Sequence, residues 1–83
     1  MKLSLRYFAS LRESMGISSE TVDTQVATLG ALRDELIARG GASADALGRG
    51  RVVRAALNQT MCDESTELVD GAEIGFFPPV TGG

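Results

Sequence analysis

From Lys2 to Phe8, the residues Leu3, Leu5 and Tyr7 fall on one side and Ser4 and Arg6 on the other, the period-two alternation of a half-buried strand. The next segment, Ser10-Leu11-Arg12-Glu13, has capping-box spacing and predicts a short helix with Ser10 at its N-cap, stopped at Gly16. Ile17 to Thr24 is rich in Thr, Ser and Val and lacks a helical period. It reads as a second strand, exposed because it carries Glu20 and Asp23. Leu29, Leu32, Leu36 and Ile37 then recur at i, i+3, i+7 and i+8, which predicts the main helix over Thr28 to Arg39. Thr28 is its expected N-cap, Gly40 its left-handed C′ residue, and Glu35 and Arg39 an i,i+4 ion pair. Gly30 costs roughly 1 kcal/mol relative to Ala inside a helix, so close packing against it is expected.

Residues 40–51, GGASADALGRGR, read as a surface loop with a single helical turn around Asp45 to Leu47. Val53, Ala55 and Leu57 alternate with Arg54 and Ala56, giving a third strand that ends in the turn-competent pair Asn58-Gln59, with Met61 and Cys62 starting its partner. After the acidic stretch Asp63 to Glu67 and the turn signal Asp70-Gly71, Glu73 to Phe77 alternates again. Ile74 and Phe76 share one face, and Glu73, Gly75 and Phe77 the other. The order of elements lacks the regular strand–helix alternation of a doubly wound sheet. The expected class is α+β, with one main helix packed across a mixed sheet, a domain over residues 1–77 and a protruding C-terminal tail over 78–83.

A length of 83 residues with 43% hydrophobic side chains supports one small domain with its own core. Eight Lys and Arg against eleven Asp and Glu give a net charge of -3, the wrong sign for holding a nucleic acid by counterion release. With no His and one Cys, the chain cannot build a Cys/His zinc site, a Ser-His-Asp or Cys-His relay, or an internal disulfide. No metal is therefore expected. Arg6, Arg12 and Glu13 interrupt what would be the apolar part of a secretory signal, and the free Cys62 suits a reducing compartment. The expected location is cytoplasmic, with no membrane partner.

Few residues of the folded part suggest chemistry. Gly48-Arg49-Gly50 opens like a phosphate loop, but Val53 stands where GxGxxG needs its third glycine. Arg49, Arg51 and Arg54 read as a solvated cluster, with an acidic partner surface as the alternative. Cys62 has Asp63 and Glu64 beside it, which oppose thiolate formation, so it reads as a partly buried strand cysteine. Asp34-Glu35 and Asp63-Glu64 lack a partner base and read as solubilising pairs. The C-terminus is different. Beyond Ile74 no side chain is charged, Pro78-Pro79 stiffens the base of the tail, and Gly82-Gly83 can carry a carboxylate down a narrow channel. Phe77, outward by the alternation, leaves an aromatic at the root of the tail and predicts a partner interface of Phe77 and Pro78.

The small fold ending in Gly-Gly resembles the ubiquitin-like β-grasp group. Within it, the tail FFPPVTGG after Leu68-Val69-Asp70-Gly71-Ala72-Glu73-Ile74 resembles the small, sulfur-carrying subunits of molybdopterin synthases. Phe8-Ala9, Leu11-Arg12-Glu13 and Ala56-Leu57-Asn58-Gln59 extend the likeness over most of the chain. Thr81, where Ser or Ala is usual, and Ala72, where an acidic residue is common, depart from it. The resemblance implies that an E1-like activating enzyme adenylates the Gly83 carboxylate using ATP, and that the carboxylate then becomes a thiocarboxylate. Pro79, Val80, Thr81, Gly82 and Gly83 would enter the large synthase subunit, whose own residues catalyse sulfur transfer to a cyclic pterin phosphate. On this reading the chain binds no cofactor and is not catalytic alone. A ubiquitin-like protein modifier, or a sulfur carrier for another pathway such as thiazole synthesis, is the alternative.

Overall fold

The computed structural model describes residues 1–79. Its elements are β1 (Lys2–Tyr7), α1 (Ala9–Met15), β2 (Ser19–Asp23), α2 (Leu29–Ala38), α3 (Gly41–Leu47), β3 (Arg54–Leu57), β4 (Thr60–Cys62) and β5 (Glu73–Phe77). The strands form one sheet in the order β2-β1-β5-β3-β4. β1 runs parallel to β5 at its centre, and the other pairings are antiparallel. This is the β-grasp arrangement. The inward set Leu3, Leu5, Tyr7, Ala55, Ile74 and Phe76 joins Leu11, Leu29, Leu32, Leu36 and Leu47 from the helices in one core, with Tyr7 and Phe76 stacked at 6.0 Å.

The main helix lies where its periodicity puts it, and the Thr28 hydroxyl accepts from the Ala31 N–H. Gly30 is required by close approach. Its N–H donates to the Glu64 carbonyl at 2.9 Å, and an added Cβ would sit 3.1 Å from the Glu64 side chain. β2 is an edge strand, as its polar residues suggest, and Asn58 and Gln59 form the β3–β4 turn with φ of 48° and 70°.

Several local expectations are corrected. The capping box does not form: α1 begins at Ala9, with Phe8 as an N-cap that makes no side-chain bond. The sheet sets this start, because the Phe8 N–H is tied to the Phe76 carbonyl at 3.1 Å, while the Phe8 carbonyl accepts from Leu11 and Arg12. Residues 41–47 are a third helix where the sequence predicts a surface loop with a single helical turn. The Arg33 guanidinium holds its end, donating from Nε to the Leu47 carbonyl at 2.7 Å and from Nη2 to the Gly48 and Arg51 carbonyls. Gly40 has φ 76° but ψ -168°, not a left-handed helical turn, because the chain passes from it directly into α3. Arg39 pairs with Glu20 of β2 through both carboxylate oxygens, at 2.9 and 3.0 Å, and Glu35 instead accepts from the Thr24 hydroxyl.

Candidate functional site

The central strand β5 ends at Phe77, and the chain continues through Pro78 and Pro79 toward the Gly-Gly terminus. Val80, Thr81, Gly82 and Gly83 lie outside the described residues, and Pro79 is the last described member of the expected tail. The surface around this exit comes from the strand registers. One row across the outer face aligns Arg6, Gly75, Ala56 and Met61, and the next places Arg54 opposite Phe77. The Phe76 side chain is 1% exposed in the core, while Phe77 turns outward.

Phe77 is half-buried and not fully exposed as the alternation suggests, because Phe8 packs on it edge to face with centroids 6.4 Å apart. Phe8 lies over Gly75, where a Cβ would come within 3.1 Å of its ring, and the Arg6 guanidinium stands 5.7 Å from the ring centroid. Ala9, with φ of 51°, then turns the chain back toward the helical side. Phe8 is 41% and Met61 57% exposed, so this face presents apolar side chains to solvent beside the tail exit. The sequence reading missed both residues. Phe8 falls just past the end of β1, and Met61 lies on a strand too short for its alternation to declare a face.

The other candidates have structural partners. Arg49 donates to Asp34 at 2.8 Å, to the Gly30 carbonyl and to Glu64, so the Gly48-Arg49-Gly50 segment is pinned to α2. The carboxylates read as solubilising are engaged: Asp34 by Arg49, Glu35 by Thr24, Glu64 by Arg33 and Arg49, and Asp63 by the Ser65 N–H and hydroxyl. Bonding by Arg49, with Arg33 adding to it, holds the Glu64 carboxyl below the usual range. Arg39 does the same to Glu20, and burial together with Glu20 pushes the Tyr7 phenol well up. Cys62 is a partly buried β4 residue whose Sγ donates to the Ala55 carbonyl at 3.8 Å. It borders a cleft of about 220 Å³ between α2 and β3, in which Arg33 is already committed to backbone carbonyls and Glu64. Among the described residues no cluster of Cys, Asp and Glu has a metal-holding arrangement, and no helix is long and apolar enough to cross a membrane.

Two relatives match almost the full length. A molybdopterin synthase sulfur carrier subunit from Haemophilus influenzae is 38% identical over 81 residues, covering 98% of this chain and 99% of the relative. One of the same name from Escherichia coli is 40% identical with the same coverage. Among solved structures, a Pyrococcus furiosus protein assigned as molybdopterin converting factor subunit 1 superposes with TM-score 0.79 at 26% identity, over 96% of this chain and 99% of that one. SAMP1 from Haloferax volcanii superposes with TM-score 0.78 at 25% identity over 100% of both chains. The complex of subunits 1 and 2 of the molybdopterin-converting factor from Helicobacter pylori contains a chain with TM-score 0.68 at 28% identity, again over 100% of both. The model of the ThiS family matches residues 5–83, and with this coverage the chain belongs to the ThiS family.

Proposed function

We propose that this chain is the sulfur-carrying subunit of a molybdopterin synthase and works in the cytoplasm. The observation that carries the reading is identity of 38–40% to two proteins of that name over 98% of the chain. The exit of the chain through Pro78 and Pro79 from the end of a central strand, beside an outward apolar face, supports it. So does the Helicobacter pylori structure, in which a chain of this fold is in complex with a second subunit.

The chemistry then follows from the terminus. A carboxylate is a poor electrophile at neutral pH, so a partner enzyme would join the Gly83 carboxylate to AMP, with pyrophosphate leaving ATP. A sulfur donor would displace AMP and leave a thiocarboxylate. This chain would dock on the large subunit through Phe8, Met61, Phe77 and Pro78 and deliver the tail from Pro79 to Gly83 into that subunit's site. There, groups of the large subunit would direct the sulfur onto a cyclic pterin phosphate. No cofactor need bind this chain, and its own residues dock, orient and extend.

Deletion of Gly83 tests the reading. It leaves a carboxylate on Gly82 but shortens the reach by about 3.3–3.6 Å, where reacting atoms must approach within roughly 3–3.5 Å and a misplacement of about 1 Å already costs ~100-fold. Supplied as a synthetic thiocarboxylate, the shortened chain is expected to bind the large subunit normally and to lose nearly all pterin conversion. Intact-mass measurement of the full chain after incubation with the activating enzyme, ATP and a sulfur donor should show one oxygen exchanged for sulfur. Near-normal turnover by the deletion variant would refute the proposal.

A further inference from the structure

Of the seven arginines, Arg12 on α1 and Arg51 in the loop before β3 are exposed and lie outside the strands, and the other five divide into two groups. Arg33, Arg39 and Arg49 face the helical side and are each neutralised by a carboxylate at hydrogen-bond distance. Arg54 is exposed on the outer face of β3, in register with Phe77, and among the described residues no carboxylate lies within ion-pair distance of it. Arg6 flanks the same aromatic pair from the other side, held over Phe8 and only loosely by Glu73 at 3.9 Å. A chain of net charge -3 thus presents a local pair of cations on either side of its exposed apolar strip. Solubility does not require this arrangement, because carboxylates already give the chain its net charge.

We infer that Arg54, with Arg6 in support, is an electrostatic clamp of the docking face, and that the partner surface it fits is an apolar groove rimmed by carboxylates. The inference rests on the sulfur-carrier reading and assigns the chemistry of the partner. Guanidinium groups suit it because they pair with carboxylates through two parallel hydrogen bonds and keep their charge at any working pH. Opposite charges at the rim of an interface act mainly on the association rate and its salt dependence. In the register, Arg54 lies one strand from Phe77, so a carboxylate that meets it also fixes the rotation of the sheet about the tail axis. Of the sequence cluster Arg49, Arg51 and Arg54, Arg49 is bound internally and Arg51 lies in the loop before β3, so that Arg54 alone of the three stands in register with Phe77 and takes the partner-facing role.

The test measures association with the large synthase subunit by stopped flow across ionic strengths. Its variants are Arg54→Glu, Arg54→Lys and, as a control for net charge, Lys2→Glu at the opposite end of β1, beside the edge strand. Arg54→Glu is expected to slow association about tenfold or more at low salt while melting like the parent. The gap should close as the screening length falls from ~10 Å at 0.1 M to ~3 Å at 1 M salt. Arg54→Lys should keep most of the rate and lose part of the lifetime of the complex, and Lys2→Glu should change the rate less than threefold. Equal effects of Arg54→Glu and Lys2→Glu, or none from Arg54→Glu, would overturn the clamp. Failure of the parent chain to bind the large subunit at all would instead defeat the sulfur-carrier reading.

Discussion

Phe76 and Phe77 are adjacent and chemically identical, yet their substitution should produce opposite phenotypes. Phe76 is 1% exposed, stacked on Tyr7 and opposite Ala55 in the sheet, so Phe76→Ala opens a cavity in the core. Such truncations cost about 3–5 kcal/mol. A domain of this length has roughly 4–12 kcal/mol in total at about 0.05–0.15 kcal/mol per residue, so the variant loses at least a quarter of its stability. At about 4–8 °C per kcal/mol, its Tm should fall by roughly 12–40 °C. Phe77→Ala forfeits an edge-to-face contact with Phe8 on a half-wet surface, worth about 0.5–1.5 kcal/mol beyond the area buried, and its Tm should fall by roughly 2–12 °C. Its binding to the large subunit should weaken by ~2 kcal/mol or more, about thirtyfold. Thermal melts by circular dichroism and titration calorimetry on both variants decide the matter. If Phe77→Ala melts as low as Phe76→Ala, or binds as tightly as the parent, the outward face of β5 is not the docking face.

Two further outcomes are expected. Cys62→Ser should accept and deliver sulfur at a rate close to the parent, since the proposed route carries sulfur on the terminal carboxyl carbon; loss of thiocarboxylate in the mass spectrum of a normally melting variant would return the thiol to the mechanism. Glu20, held below its usual range first by the Arg39 bond, contributes stability that is fully present above its unfolded pKa and is lost as pH falls through the lower folded value. Glu20→Gln should therefore reduce stability near neutral pH and flatten the acid limb of a urea-midpoint series from neutral pH to pH 3; an acid limb as steep as the parent's would refute the assignment.

The sequence made most of the scaffold legible because α2 and the sheet strands bury one face each, and a buried face leaves a period. Leu29, Leu32 and Leu36 announce α2, and Ile74 and Phe76 announce the inward face of β5. The failures share one physical cause: the decisive partner lies far along the chain. α3 has one large apolar side chain, Leu47, and the donor that holds its end is Arg33, fourteen residues before Leu47. Arg39 has a suitable carboxylate four residues away in Glu35, yet it is drawn to Glu20 across a gap of nineteen residues, where Tyr7 also donates to the same carboxylate. Phe8 continues the outward parity of Ser4 and Arg6 but lies one residue past the end of β1. The seat of its ring depends on Gly75, which only the β1–β5 register brings beneath it.

The docking face and the reacting end are coupled by length. From Pro79 the four residues to Gly83 span at most about 14 Å when fully extended, at 3.3–3.6 Å each. Any site that uses the Gly83 carboxylate must therefore lie within about that distance of where Pro79 is held. Pro79 is in turn placed by β5, which β1 and β3 pin on both sides. Loosening the grip of Phe8, Phe77 or Arg54 on a partner lowers the fraction of time the terminus is in reach, and so lowers affinity and turnover together. Shortening the tail leaves the grip untouched and removes the reach, so that affinity and turnover separate. Comparing the two kinds of variant in one binding and turnover series distinguishes a donor delivered on a fixed-length arm from a surface that acts by docking alone.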